Sequence, residues 1–344
     1  MKKRLALLLA GTMTFSLAAC GGGTSDQQSA ASPDEFEPIV LKFANQHPGD
    51  STATKSDQAI CDAIEEATEG RVKVELYTDS SLGDYTSVVE EVMVGTIDMA
   101  HTTMVETYDA RMSGAMLPYL GSNYDELKIA YAPDNYLYKT VYEIGQNMGI
   151  HTFGFYCEGF SGVGTGPEIT DAAVPGADKG AIVRVPGVDA FSIPARALGF
   201  VTSTIAYSDT YTAIQTNTVQ GWVGGPPNLN YLYFRDVINN YYHYMLTQEA
   251  TQIYMSEKTW NKLLPEDQEA IDAIIKAECE KSFELAAADD DSYMQLMRDA
   301  GINVVEFTDE ERAELADYVR ENVWPELAKN TSQEFLDSIL ASIE

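Results

Sequence analysis

The chain has 344 residues, with 22 lysines and arginines against 53 aspartates and glutamates and a formal net charge of -31. At roughly 100–200 residues per domain, that length suits two cores better than one. Such acidity argues against nucleic acid as a partner and against docking on anionic lipid, and it obliges any small anionic ligand to be attracted locally against an unfavourable global field.

Lys2, Lys3 and Arg4 precede the apolar run LALLLAGTMTFSLAA, and Cys20 follows. A basic start and a short apolar stretch rich in small residues read as an export signal over residues 1–19. The ending Leu17-Ala18-Ala19-Cys20 resembles a bacterial lipobox. It predicts a lipid anchor on Cys20 that holds the protein at the outer side of the cell membrane; the alternative is an ordinary secretory signal with an incidental cysteine. The segment GGGTSDQQSAASPDEFEP then reads as a flexible tether over residues 20–37. Loss of residues 1–19 removes three positive charges and no negative ones, taking the net charge from -31 to -34. No later segment reaches ~18 consecutive apolar residues, so the body is expected to be soluble. Cys61, Cys157 and Cys279 match no zinc or redox spacing and are expected to be buried free thiols, the alternative being a single disulfide.

The segment IVLKFA reads as a strand, SDQAICDAIEEATEG as a helix, VKVELY as a strand, DYTSVVEEVMVG as a helix and TIDMAH as a strand. A second run of the same kind follows past the middle: AIVRVP, VDAFSIPARALG, FVTSTIAY, SDTYTAIQTNTV and GWVGG. Strand, helix, strand in that order implies right-handed parallel crossovers. Two such runs predict an α/β protein of two lobes facing across a central cleft. Pro265-Glu266-Asp267 opens a helix that runs to Gly301. At ~1.5 Å per residue it would be roughly 50 Å long, enough to brace both lobes. Thr308-Asp309-Glu310-Glu311 carries a capping-box pattern. The lobes are expected over 38–156 plus 250–288 and over 157–249 plus 289–344. The glycine-rich GFSGVGTGP, residues 159–167, lacks the residues of a phosphate loop or nucleophile elbow and reads as a flexible crossing between lobes.

In open parallel sheets ligands collect at the carboxyl ends of strands. That rule selects Asn45-Gln46-His47, His101-Thr102-Thr103, Arg184-Val185-Pro186 and the stretch Trp222 to Asn228. Arg184 stands in the apolar strand AIVRV, and a guanidinium cannot shed its charge, so it must meet either an internal acid or a bound anion. A carboxylate suits its planar fork of donors. In GWVGGPPN the glycines let backbone amides approach a ligand and Trp222 can supply a flat wall; the same residues also suit a tight turn over a buried Trp222. Asn45 is a hydrogen-bonding candidate, His47 and His101 are weaker ones, and Tyr156, Tyr207 and Tyr211 fall near the cleft. The four histidines form no His-x-x-x-His pair, and Asp289-Asp290-Asp291 lacks calcium-loop spacing and reads as a solvated helix face. No metal or cofactor is called for.

Over essentially its whole length from about residue 38, the chain resembles the extracytoplasmic solute-binding proteins of TRAP transporters. The segments that carry this are LKFANQHP, GRVKVELYTDSSLGD, VMVGTIDMA, DKGAIVRVP, ALGFVTSTIAYSDTYTAIQTNTVQG and MSEKTWNKLLPEDQEAI, in that order. The resemblance implies a two-lobed periplasmic-binding-protein-like fold, no catalysis, a small organic-acid ligand and TRAP-type permease subunits as partners. It implies that Arg184 pairs with the ligand carboxylate, and that Asn45, Thr102 and Thr103 make polar contacts. Two departures matter. Glu158-Gly159-Phe160-Ser161 stands where many members carry a second arginine, so Phe160 is expected as an apolar wall and a dicarboxylate is disfavoured. The common Gln-x-Asn-Pro element is replaced by GWVGGPPN, which leaves Asn228 as the substitute polar contact, and Gly221 stands where metal-assisted members carry an acid. A rival reading is an exported hydrolase on a similar scaffold, which would place a nucleophile beside a cleft histidine; another is a ligand sensor with no transport partner.

Overall fold

The computed structural model describes residues 37–104 and 106–343. The expected leader, the Cys20 anchor and the tether as far as residue 36 lie outside the described residues. The apolar runs form two sheets. The first has the order β2-β1-β3-β10-β4 and the second β11-β9-β5-β8-β6-β7.

In the first sheet, β1 (Ile39–Asn45) lies between β2 (Val72–Tyr77) and β3 (Met99–Thr102), parallel to both. The helices Thr52–Ala67 and Tyr85–Val94 make the two crossovers. The first starts earlier than its apolar spacing suggests, because the Ser51 hydroxyl accepts the Thr54 amide at 3.1 Å and caps it. Two long antiparallel strands, β4 (Ile150–Phe160) and β10 (Gln248–Ser256), complete the sheet.

The second sheet contains β5 (Val163–Thr165), β6 (Ile182–Val185), β7 (Val201–Thr204), β8 (Gly221–Val223), β9 (Asn240–His243) and β11 (Asn303–Glu306). β6 runs parallel to β7 and β8, with the helix Asp189–Ala197 between β6 and β7. β5 is antiparallel to β8 and β9.

The chain passes from one sheet to the other in a paired ribbon. β4 leads into β5 and β9 leads back into β10, and at the crossing Ser161 N donates to Thr247 O at 2.7 Å while Leu246 N donates to Ser161 O at 3.1 Å. The segment expected to be a flexible crossing is therefore buried strand. Its glycines serve close packing: a Cβ on Gly164 would stand 2.6 Å from Asn230 Oδ1, and one on Gly162 would stand 2.4 Å from the Tyr241 hydroxyl. The expected boundaries at 156/157 and 249/250 cut β4 and β10 inside this pair.

The helix Pro265–Asp299 has 35 residues. It packs on β4 and on the helix Thr52–Ala67 at one end, and on the helix Pro227–Phe234 and β11 at the other. It thus braces both lobes. Arg71 Nη2 bonds Asp267 Oδ1 at 2.6 Å near its start, and Asp290 lies inward in its later half. This corrects the reading of Asp289-Asp290-Asp291 as a wholly solvated face: Asp290 is buried, receives the Tyr124 hydroxyl, and is pushed up to about 7 by that burial. The capping box forms as expected, with the Thr308 hydroxyl accepting the Glu311 amide at 3.2 Å. Cys61, Cys157 and Cys279 are buried and free.

Ile275 of the long helix is fully buried in a cluster with Ile60, Ile64 and Phe153. Ile275→Ala removes methylenes that the surrounding backbone cannot follow inward, so it should destabilise by about 2–5 kcal/mol. Urea unfolding measures this; a loss below about 1 kcal/mol would mean that the helix end is not packed as described.

Candidate functional site

β6 places Arg184 between Ser203 of β7 and Trp222 of β8 in register. The side chain is 2% exposed. Its Nε donates to Ile205 O at 2.8 Å, and its guanidinium carbon lies 5.7 Å from the centre of the Tyr207 ring. Its Nη2 is buried with no hydrogen-bond partner, and Arg184 makes no ion pair among the described residues. Burial works against the charge and holds the guanidinium below its ordinary value, with Tyr85, Tyr207 and Glu249 acting the other way. The Tyr207 hydroxyl is also buried without a partner.

Both groups line a cavity of about 40 Å³. The first sheet contributes Gln46, Thr103 and Glu249, and the helix Tyr85–Val94 contributes Tyr85. The second contributes Arg184, Trp222 and the loop after β8, with Val188 and Phe191 from the start of the helix Asp189–Ala197 that follows β6. Gly225 has φ +66, and a Cβ there would stand 2.4 Å from the Trp222 ring, so the loop passes the indole only as glycine. The Trp222 Nε1 is held by Asn230 Oδ1 at 2.9 Å, which fixes the ring as a wall.

The model of the bacterial extracellular solute-binding proteins, family 7, matches residues 43–330. The chain belongs to this family. The C4-dicarboxylate-binding periplasmic protein DctP of Rhodobacter capsulatus is 23% identical over 342 residues, covering 95% of this chain and 97% of the relative. The sialic acid-binding periplasmic protein SiaP of Vibrio cholerae is 23% identical over 274 residues, covering 77% and 82%. Among solved structures, the sugar acid binding protein DctPAm of Advenella mimigardefordensis in complex with galactonate superposes with a TM-score of 0.81 at 17% identity, covering 90% of this chain and 99% of that one. A TRAP periplasmic solute binding protein of Shewanella oneidensis with bound succinate gives 0.80 at 17%, covering 90% and 100%. The two-lobed α/β fold is thereby that of the TRAP solute-binding proteins.

In this family 7 protein, the cavity brings together Arg184, Thr103, Trp222 and Tyr207 of the residues expected from sequence. Gln46 ties Thr103 in place, donating to its Oγ1 at 3.3 Å and accepting its amide at 3.2 Å. The other expected residues lie outside the cavity lining. Asn45 donates to Thr54 Oγ1 at 2.9 Å and Asp57 Oδ2 at 2.6 Å and accepts the His47 amide at 2.8 Å, so its side chain is committed to holding the turn after β1. Thr102 shares a hydrogen bond of 2.6 Å with Tyr254. Phe160 packs on Tyr124 with ring centres 5.0 Å apart. Asn228 donates to Asp289 at 3.3 Å and caps the Leu229 amide at 2.6 Å. His47 pairs with Glu158 at 2.8 Å. Asn45, Thr102, Asn228 and His47 are thus taken up by the protein's own polar groups, and Phe160 by an aromatic neighbour.

Asn45 and His47 belong to one buried network with Asp57, His101, Thr251 and Glu158. His101 Nδ1 lies 2.8 Å from Asp57, His101 Nε2 lies 2.8 Å from the Thr251 hydroxyl, and that hydroxyl donates to Glu158 Oε1 at 2.9 Å. Burial opposes a charge on His47, but the Glu158 carboxylate outweighs it and the imidazole titrates above its ordinary value. Glu158 is correspondingly held below its own, burial notwithstanding. Thr251, His101 and Asp57 have the order of a nucleophile, base and orienting acid. All three are fully buried outside the cavity lining, so a substrate carbonyl in the cavity would not reach the Thr251 hydroxyl. His47, His101 and Glu158 also stand close enough to share a metal ion, with ligand atoms within 4.8 Å of one another. Their nearest atoms are already joined by the hydrogen bonds above.

Sequence reasoning missed Glu249 and Tyr85. Gln46 stood in a selected segment, but nothing in QEATQIYMS tells that its first residues cross between lobes. Glu249 is 8% exposed. Burial, reinforced by the Glu158 carboxylate, pushes its carboxyl from an ordinary 4.5 up to about 8, while the Gly225 amide, His47 and Arg184 act the other way. A raised folded-state value means that the stability it supports is complete below the unfolded value and is lost as pH rises toward the folded one. Wild type should therefore lose stability relative to Glu249→Gln between about pH 5 and pH 8, and the difference should level off above that. Thermal unfolding of both proteins across this range checks it; a pH-independent difference would contradict a protonated Glu249 in the folded state.

Proposed function

We propose that the chain is an extracytoplasmic binding lipoprotein. It captures a small carboxylate-bearing solute in the cleft and hands it to a TRAP-type membrane permease, making and breaking no bond. The observation that carries this reading is the buried Nη2 of Arg184, a residue of the cavity lining, which has no hydrogen-bond partner and no acidic partner among the described residues. A ligand carboxylate supplies the missing counter-charge, and the dry walls leave that pair unscreened. Because the lining comes from both sheets, a ligand contacts all of it only when the lobes are together, which favours the closed form that a permease would recognise. The relatives support the ligand class, since sialic acid, C4-dicarboxylates, galactonate and succinate all bear carboxylates. The lipobox-like ending Leu17-Ala18-Ala19-Cys20 supports attachment at a membrane, and no helix of the described residues is long and apolar enough to cross one.

The hydrolase reading rests on the Thr251-His101-Asp57 order and is disfavoured by the burial of all three. The sensor reading shares the ligand site and differs in its partner.

A thermal-shift panel of small acids identifies ligands, since a solute that binds only the folded form raises its stability. Arg184→Ala should weaken the best acid by about 2–5 kcal/mol, taking a micromolar ligand to between about 30 μM and a few millimolar. The free variant should unfold no earlier than wild type, because an unpaired buried cation has been removed rather than an ion pair. Unchanged affinity in Arg184→Ala would remove the basis of this proposal.

A further inference from the structure

The carboxylate reading uses Arg184 and leaves Glu249 unexplained. Glu249 lies in the wall of the same cavity, 8% exposed, and makes no ion pair among the described residues. Arg184 is not its salt-bridge partner, so one cavity holds a cation and an acid that do not satisfy each other. For a plain anion this is a poor design. A ligand carboxylate drawn to Arg184 is repelled by Glu249 whenever that acid ionises, and the field of a chain with net charge -31 opposes its entry. A guest with a positive group at its other end turns the first effect into an attraction and, being neutral overall, escapes the second.

The walls fit such a guest. Tyr207 faces the Arg184 guanidinium, and Tyr85, Phe191 and Trp222 also line the cavity. Aromatic surfaces around an acid make a receptor for an alkylammonium group, because the ring faces attract the cation and the acid supplies its counter-charge.

We propose that the cavity recognises a small zwitterion, with the ligand carboxylate on Arg184 and its ammonium group on Glu249 against the aromatic wall. This rests on the reading of Arg184 as the carboxylate receptor. Binding has a proton signature. Glu249 faces Glu158, His47, Arg184 and the phenols of Tyr85, Tyr131 and Tyr207, among which its own carboxyl titrates at about 8. An ammonium guest requires the carboxylate form, so Glu249 releases its proton to solvent below that pH and affinity rises with pH. A hydroxy acid would instead accept a hydrogen bond from the protonated acid and release none.

The test uses matched sets of three-to-six-carbon acids that differ only in bearing an amino group, a hydroxyl or neither. The mature full-length chain is titrated with each by calorimetry in buffers of different ionisation enthalpy, at pH 6, 7 and 8. The best amino acid should bind about 10-fold or more tighter than its hydroxy twin, as a charge-assisted bond replaces a neutral one. Its affinity should rise from pH 6 to pH 8 with proton release, and Glu249→Gln should abolish both the preference and the release. Glu249→Asp, which keeps the charge, should retain part of the preference. Hydroxy or plain acids that bind through Arg184 while no amino acid does so more tightly would overturn this inference and leave the carboxylate reading standing. So would an amine preference that survives in Glu249→Gln. Amino acids whose affinity is untouched by Arg184→Ala would overturn the carboxylate reading itself. If no amine-bearing acid binds, the inference is wrong.

Discussion

A guanidinium buried without a counter-charge is costly in any fold, because water that would solvate it is excluded and nothing in the protein replaces the lost interaction. Arg184 is held in that condition by ordinary means. It sits in the centre of a parallel strand triplet, its Nε is fixed by the Ile205 carbonyl and its face is covered by Tyr207. Its Nη2 stays buried without a partner on a residue that lines the cavity. The rest of the site follows from keeping that donor dry and unsatisfied until a guest arrives.

The first lobe treats its own charges in the opposite way. Asp57, His101, Thr251, Glu158, His47 and Asn45 bind one another in a chain of hydrogen bonds of 2.6–2.9 Å, which leaves only His47 Nδ1 and Glu158 Oε2 among their buried side-chain atoms without a partner. This network fixes the loops after β1 and β3 and the ends of β4 and β10, which carry Gln46, Thr103 and Glu249 to the cavity. Rigid polar support beneath a site holds its contacting groups in place.

The paired ribbon between the sheets gives this division a mechanical setting. Since β4 and β10 hydrogen-bond to each other up to the crossing, and Ser161 and Thr247 continue the pairing across it, the lobes are joined by strand rather than by slack loop. Glu158 and Glu249 stand on the two strands of that ribbon. A change in the charge of either is therefore felt where the lobes meet, and the long helix behind it carries both lobes on one rod.

The sequence by itself determined what depends on local order. Alternation and helical spacing located β1, β2, β6, β8 and the 265–299 helix, and the order of the quoted segments identified the family. It also singled out Arg184, because one permanent charge in an apolar run is a contradiction visible without coordinates. Tertiary structure alone decided which strand-end groups reach the cavity. Asn45, Thr102, Phe160, Asn228 and His47 have the right position in the chain, but a side chain's hydrogen bonds are allotted by neighbours distant in sequence, such as Asp57, Tyr254 and Glu158. Glu249 became legible for the same reason in reverse: only the folded chain brings it into the same cavity as Arg184 without an ion-pair partner of its own. Glycine content at 159–167 misled because the same residue serves flexibility and close approach, and the packing of Tyr241, Asn230 and Trp222 around it decides between them.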